Sequence, residues 1–245
     1  MARERFVRAR IVQQRFERQL AAVARQINGL IKGVAPDGDV KLRDMPALNE
    51  LMERYSHTLE PWAESVTYRM QAEVSQRDYK AWTDLGQTMG RELRLELNNA
   101  PAGQALRESL QEQIKAITSL PLRASERVYA YAQKMLAESG RADELKKQIL
   151  RTGHVSVGQA KVIARTAVAT VSSKLTQVRA EHLGSEGYFW RTARDRDVRP
   201  AHKKLEGKFI LWSQPPVVDS KGRRAHAGQD IQCRCYPEPT LPDIV

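Results

Sequence analysis

The sequence predicts an α+β protein: a mostly α-helical, elongated bundle over residues 1–150, then a small α+β domain over residues 153–245 with short strands. Three observations lead there. Apolar residues recur every three or four positions through most of the first 150 residues, the period of a helix with one buried face. After Gly187 that period gives way to two runs of strand length, Tyr188-Phe189-Trp190-Arg191-Thr192 and Lys208-Phe209-Ile210-Leu211-Trp212. These runs hold half of the four tryptophans and half of the four phenylalanines, so a second core begins there.

The elements follow in order. Residues 3–32 read as a helix, with Phe16, Leu20, Val23, Ile27 and Leu30 at steps of four, three, four and three. Its apolar stripe suits either packing on the helices that follow or a seam with a partner helix. Gly33, Pro36 and Gly38 end it. Helix resumes near Pro46 and carries Leu48, Leu51, Tyr55, Leu59, Trp62, Val66, Met70 and Val74 at helical spacing. Pro61 should kink or divide it, because proline lacks the amide hydrogen and crowds the preceding turn. Gly86 and Gly90 weaken the stretch after it, and Pro101 with Gly103 closes it. Two runs, 104–120 and 122–138, are separated by Pro121, and a short run to Leu150 ends at Gly153. Ser156 with Gln159 has the spacing of a capping box and predicts a fresh helix start. That helix continues to Gly184, a suitable C-terminal glycine, with Val162, Ala169, Leu175 and Val178 as its buried stripe.

Charge is unevenly placed. The net charge is +11, and arginine outnumbers lysine 27 to 13. Residues 1–32 carry eight basic against two acidic side chains, and residues 188–235 carry eleven against five. The middle, residues 33–187, is balanced at 21 against 20. Two basic ends predict contact with a polyanion, double-stranded DNA bound without sequence preference, with Arg5, Arg8, Arg10, Arg15 and Arg18 on the first helix. No run approaches the ~18 apolar residues of a membrane span. The first residues, MARERFVRARIVQQRF, are basic and lack an apolar stretch, so the reading is a chain that folds in a cytosol rather than a secreted one. Cys233 and Cys235 are the only cysteines, which excludes a disulfide-stapled scaffold.

Chemistry concentrates near the C-terminus. Asp195, Arg199, His202, Gly207, His226, Cys233 and Cys235 fall within 41 positions. On an extended strand residues i and i+2 share a face, so both thiols project together. Two thiolates with one or two histidines make a tetrahedral zinc set, here Cys233, Cys235 and His226, with His202 available across the fold. The same residues also suit a purely packed role, two small buried thiols with His226 at a turn. Asp195, Arg199 and His202 could gather an acid, a base and an imidazole, or form an Asp–Arg pair with the histidine behind it. No G-x-S-x-G, H-E-x-x-H, glycine-rich phosphate loop or deaminase zinc pattern is present, so no complete catalytic motif is legible.

Three stretches, IARTAVAT, LGSEGYFWRTARDRDVRPAHKKLEGKFI and HAGQDIQCRC, together resemble the phage head-morphogenesis, or minor head protein, family to which protein F of phage Mu belongs. The resemblance runs over residues 153–240. Its first motif is Ala164, Arg165 and Thr166; its centre is Trp190, Asp195, Arg199, His202 and Gly207; its close is His226, Cys233, Arg234 and Cys235. Ala227 stands where that pattern has proline, and the gap from His226 to Cys233 is longer than its common form.

The resemblance implies a minor virion protein that associates with the portal protein, other head proteins and the interior of the procapsid, beside packaged DNA. It would be made in the host cytoplasm and reside in the virion. Two other readings compete. One is a metal-dependent nuclease or hydrolase using Asp195, His202 and His226. The other is a helix-turn-helix DNA binder over GHVSVGQAKVIARTAVATVSSK, with its turn at Gly153.

Overall fold

The computed structural model describes residues 2–89, 101–137 and 142–241. Four long helices come first: α1 (Ala2–Val34), α2 (Met45–Met89), α3 (Ala102–Ala137) and α4 (Ala142–His182). A three-residue 3-10 turn, Leu42–Asp44, leads into α2. The C-terminal part holds β1 (Gly187–Thr192), the short helix α5 (Pro200–Lys203), β2 (Phe209–Leu211) and β3 (Cys235–Pro239). The α+β class is as the sequence predicts. No helix is long and apolar enough to cross a membrane among the described residues. Gly90 lies outside the described residues.

The chain forms two compact units that interleave along the sequence. One comprises Arg15–Thr67 and Glu112–Ala164; the other comprises Met1–Gln14, Tyr68–Gln111 and Arg165–Val245. The first is all helix. Its core joins Val23, Ile27 and Ile31 of α1 to Leu48 and Met52 of α2, Leu120, Ala124 and Val128 of α3 and Ile149 of α4. The α1 stripe is therefore ordinary helix packing; Phe16 and Leu20 are buried with it.

Both prolines expected to break helices sit inside continuous ones, Pro61 in α2 and Pro121 in α3. Pro61 lies on the exposed side of its helix. A proline frees a carbonyl one turn before it. Near Pro121 the neighbouring carbonyl of Thr118 accepts the Ser56 hydroxyl from α2 at 2.7 Å. The carbonyl that Pro121 itself frees is that of Ile117, one residue earlier, and the helix continues through both.

The break that the sequence suggests at Gly153, between segments 1–150 and 153–245, is absent. α4 passes through it without interruption, which also removes the turn that a helix-turn-helix would need there. Ser156 and Gln159 do not form a capping box. Both accept from the Arg127 guanidinium of α3, at 2.9 and 3.2 Å. Gly153 is a packing glycine: a Cβ there would lie 2.3–2.4 Å from side-chain atoms of Asn28 on α1. The buried stripe of α4 is Ala160, Ala164, Val168, Val171 and Leu175; the expected Val162, Ala169 and Val178 are only half-buried.

The end of α4 is as predicted. The Ser185 amide donates to the Ala180 carbonyl, the Gly184 amide to Glu181, and Gly184 has φ 81°, a Schellman close. The strands then form one antiparallel sheet in the order β2-β1-β3. β1 pairs Phe189 with Phe209 and Thr192 with Cys235. Tyr188, Trp190 and Thr192 turn inward, where Tyr188 and Trp190 pack with Trp82, Trp212, Val218 and the two cysteines. Sequence reading misses β3, because Cys235-Tyr236-Pro237-Glu238-Pro239 carries two prolines. An edge strand tolerates them.

The glycines of α4 provide a test with opposite signs. Gly153→Ala should destabilise the protein by about 1–3 kcal/mol through overpacking against Asn28. Gly158 has open space around its Cβ position. There the same substitution should stabilise by up to ~1 kcal/mol through helix propensity. Denaturant unfolding of both variants decides it, and equal effects would discard the packing account of Gly153.

Candidate metal centre

The sheet's inner face supplies the floor of a buried cluster. Pro200 opens α5, and its single turn points His202 inward, 1% exposed. The His202 ring meets the edge of Trp190, with centroids 5.5 Å apart at 84°. Cys233 lies in the loop before β3, and Cys235 begins that strand. The approach to them is a turn: the Cys233 amide donates to the Asp230 carbonyl, and Gln232 takes φ 52°. That left-handed residue is held by Thr166 of α4, whose hydroxyl accepts the Gln232 amide at 3.0 Å. Gly228 is tight as well, at φ 89°, where a Cβ would meet Ser173 at 3.0 Å.

His202 Nδ1 lies 3.5 Å from the Sγ of Cys233 and 3.5 Å from the Sγ of Cys235. All three ligand atoms fall within 4.8 Å of one another. Metal–sulfur bonds of about 2.3 Å and a metal–nitrogen bond of about 2.0–2.1 Å put the S···N edges of a zinc tetrahedron at about 3.6 Å. These two S···N edges therefore have the length a zinc tetrahedron requires, and two thiols with one imidazole supply three of its four ligands. Hydrogen bonding from Cys235, then from His202 and the Gly228 amide, holds the Cys233 thiol well below its ordinary range despite burial. Cys235, donating to it and buried, is pushed up.

A second layer surrounds His202. Its Nε2 is buried without a well-aligned hydrogen bond, and the Oδ2 of Asp230 lies 3.4 Å away. Asp230 is 2% exposed. Arg199 pairs with its Oδ2, the Arg223 guanidinium lies 2.9 Å from its Oδ1, and the Ile231 amide donates to Oδ1 at 2.7 Å. Arg199 also donates to the Ile231 carbonyl at 2.8 Å. The pairing expected from sequence is thus exchanged. Arg199 serves Asp230, while Asp195 pairs with Arg234, which also lies 3.4 Å from Asp197. The reason is the loop geometry: Asp195 stays at the turn after β1, where its carboxylate also accepts the Asp197 amide at 3.1 Å.

His226 is not a member of the three-donor group. Its Nδ1 lies 3.2 Å from the Tyr188 hydroxyl, which itself accepts the Ala227 amide at 3.1 Å. The other nitrogen bonds to the Trp212 backbone. A tautomer with the proton on Nε2 satisfies all of these contacts, so His226 braces the aromatic core, and His202 takes the ligand place. Asp195, His202 and His226, the trio of the hydrolase reading, are not gathered.

The other signature residues are structural neighbours. Gly207, at φ 74°, donates its amide to the Trp190 carbonyl at 2.8 Å. Arg165 lines a cavity of about 60 Å³ together with Arg10, Ser173, Cys233 and Cys235. Arg10, Arg15 and Arg18 lie on the exposed side of α1, while the side chains of Arg5 and Arg8 lie outside the described residues. Sequence reasoning missed Asp230 and Arg223; the acid three residues before Cys233 was the available signal.

Residues 106–237, just over half of the chain, match the family model described as Phage Mu protein F like protein. The chain belongs to that family. The match begins near the start of α3, earlier than the signature motifs, and takes in the whole candidate centre. An uncharacterized protein of Haemophilus influenzae is 26% identical over 167 residues, 65% of this chain and 35% of that protein. The chain thus spans about a third of the length of the curated relative it matches. No solved structure matches.

The bracing role of His226 has a pH signature. Burial holds its imidazole below the usual value, against the opposing Trp212 contact. A base with a depressed folded pKa stabilises the fold fully above its unfolded pKa of about 6.5 and loses that contribution as pH falls through it toward the folded value. The gap in thermal midpoint between wild type and His226→Gln should therefore narrow as pH drops from about 7.5 to about 5.5. A constant gap would mean that a neutral imidazole is not what the core requires.

Proposed function

We propose that this chain is a minor head protein: it associates with the portal and procapsid interior during head assembly, lies beside packaged DNA, and holds a structural zinc. The observation that carries the reading is the inward convergence of the signature residues. His202, Cys233 and Cys235 are each at most 4% exposed, and Thr166 and Trp190 brace them. Residues arranged this way hold a fold together, which suits a component of a particle. In the bound form Cys233, Cys235 and His202 would hold the ion, and its contribution would be to neutralise two buried thiolates and join α5 to β3. The two basic segments suit contact with phosphate.

Two measurements test this. Protein purified without chelators should contain about one zinc per chain, and Cys233→Ser with Cys235→Ser should contain none, with loss of metal destabilising the C-terminal sheet. Metal-free wild type that cannot be loaded with zinc ends the zinc reading. Affinity for duplex DNA should fall with salt at a log–log slope near −0.9 per phosphate contacted, and charge reversal at Arg5, Arg8, Arg10, Arg15 and Arg18 should weaken it. Unchanged binding in that variant at low salt would remove α1 from the DNA contact, and failure to co-purify with the portal would remove the portal association.

A further inference from the structure

We infer that Asp230 is a positioning residue for the metal: its carboxylate accepts a hydrogen bond from the Nε2–H of His202 and so commits Nδ1 to the ion. The inference rests on the zinc reading and goes beyond it to the residue that prepares the ligand.

Four observations support it. Nδ1, not Nε2, faces both sulfurs at 3.5 Å. Nε2 faces the Asp230 Oδ2 at 3.4 Å and has no well-aligned partner of its own. Asp230 cannot move away, because Arg199, Arg223 and the Ile231 amide hold both of its oxygens. The Trp190 edge at 5.5 Å limits tilting of the ring. A histidine that ligates through one nitrogen typically donates from the other to a carboxylate, which sets its tautomer and raises its basicity. Here the carboxylate is already aimed and anchored by two cations.

The two arginines divide this role from mere scaffolding. Arg199 and Arg223 pair with Asp230, and Asp230 faces the imidazole, so they hold the carboxylate while the carboxylate holds the ring. Removing one arginine should cost stability and leave the tautomer unchanged. Removing the carboxylate should change the ligand itself.

The first test uses the wild-type chain, labelled with ¹⁵N-histidine and loaded with ¹¹³Cd. The spectrum should show the His202 proton on Nε2 and cadmium coupling through Nδ1. Coupling through Nε2 overturns the inference, whereas wild type that takes up neither zinc nor cadmium overturns the zinc reading beneath it. The second test is zinc competition with a chromophoric chelator. Asp230→Ala should weaken binding by about 10- to 100-fold. Asp230→Asn, which accepts a hydrogen bond but lacks the charge, should recover part of that loss. Arg223→Gln should change zinc affinity by less than about threefold while lowering the thermal midpoint, since Arg199 still holds Asp230. Equal losses of affinity in Arg223→Gln and Asp230→Ala would make Asp230 a structural hub only. Should Asp230→Ala fail to fold, the cadmium spectrum of the wild type still decides.

Discussion

A carboxylate removed from water must be matched by positive charge, and Asp230 is removed almost completely. Breaking such a pair by deleting one partner typically costs ~3–5 kcal/mol, because the other charge remains buried. The C-terminal fold is arranged to avoid that state. Arg199 arrives from the loop before α5, Arg223 from the segment between β2 and β3, and His202 from α5 itself. Two stretches, residues 199–202 and Arg223, are thus tied to one side chain. The loop from Asp230 to Cys235 cannot shift without disturbing all of them, which is why both thiols arrive at His202 with equal spacing.

The helices serve the same end by close approach. α4 reaches Gly184 unbroken, and its C-terminal half supplies Thr166 to the Gln232 turn and Ser173 to the Ala227 carbonyl at 2.6 Å. Its N-terminal half packs in the all-helical unit, where Gly153 meets Asn28 and Arg127 is held by Ser156 and Gln159. Arg127 is partly desolvated there, and burial depresses its pKa. Residues that resemble local capping signals are in this protein engaged in contacts between helices.

That difference marks how far the sequence could be read. The α+β class, the α1 stripe, the Gly184 close and strands β1 and β2 follow from periodicity and local chemistry, which act within a few residues. Breaks at Pro121 and Gly153 were expected because proline and glycine disfavour helix locally, but both helices continue, and the small residue at 153 answers to Asn28, 125 positions away. The cysteine pair and His202 were legible as chemistry. Which histidine joins the sulfurs was not, because the choice between His202 and His226 rests on Tyr188, Ala227 and Trp212 occupying one ring and Asp230 facing the other. Arg199 pairs with Asp230 rather than with the expected Asp195 for the same reason: a charged residue chooses its partner by the fold, not by spacing.

Charge sets a further constraint on the two sulfurs. Burying one thiolate beside a donating thiol and an imidazole is affordable; burying two without a cation is not, because like charges at that spacing repel strongly in a dry interior. The directions for Cys233 and Cys235, one held low and one pushed high, describe that asymmetry. A divalent ion removes it by ionising both. Metal uptake would then release the Cys235 proton, so zinc affinity should weaken as pH falls, while the anchored Asp230 keeps the imidazole aligned throughout. If zinc is bound as proposed, folding of the sheet and loading of the centre would be one linked equilibrium.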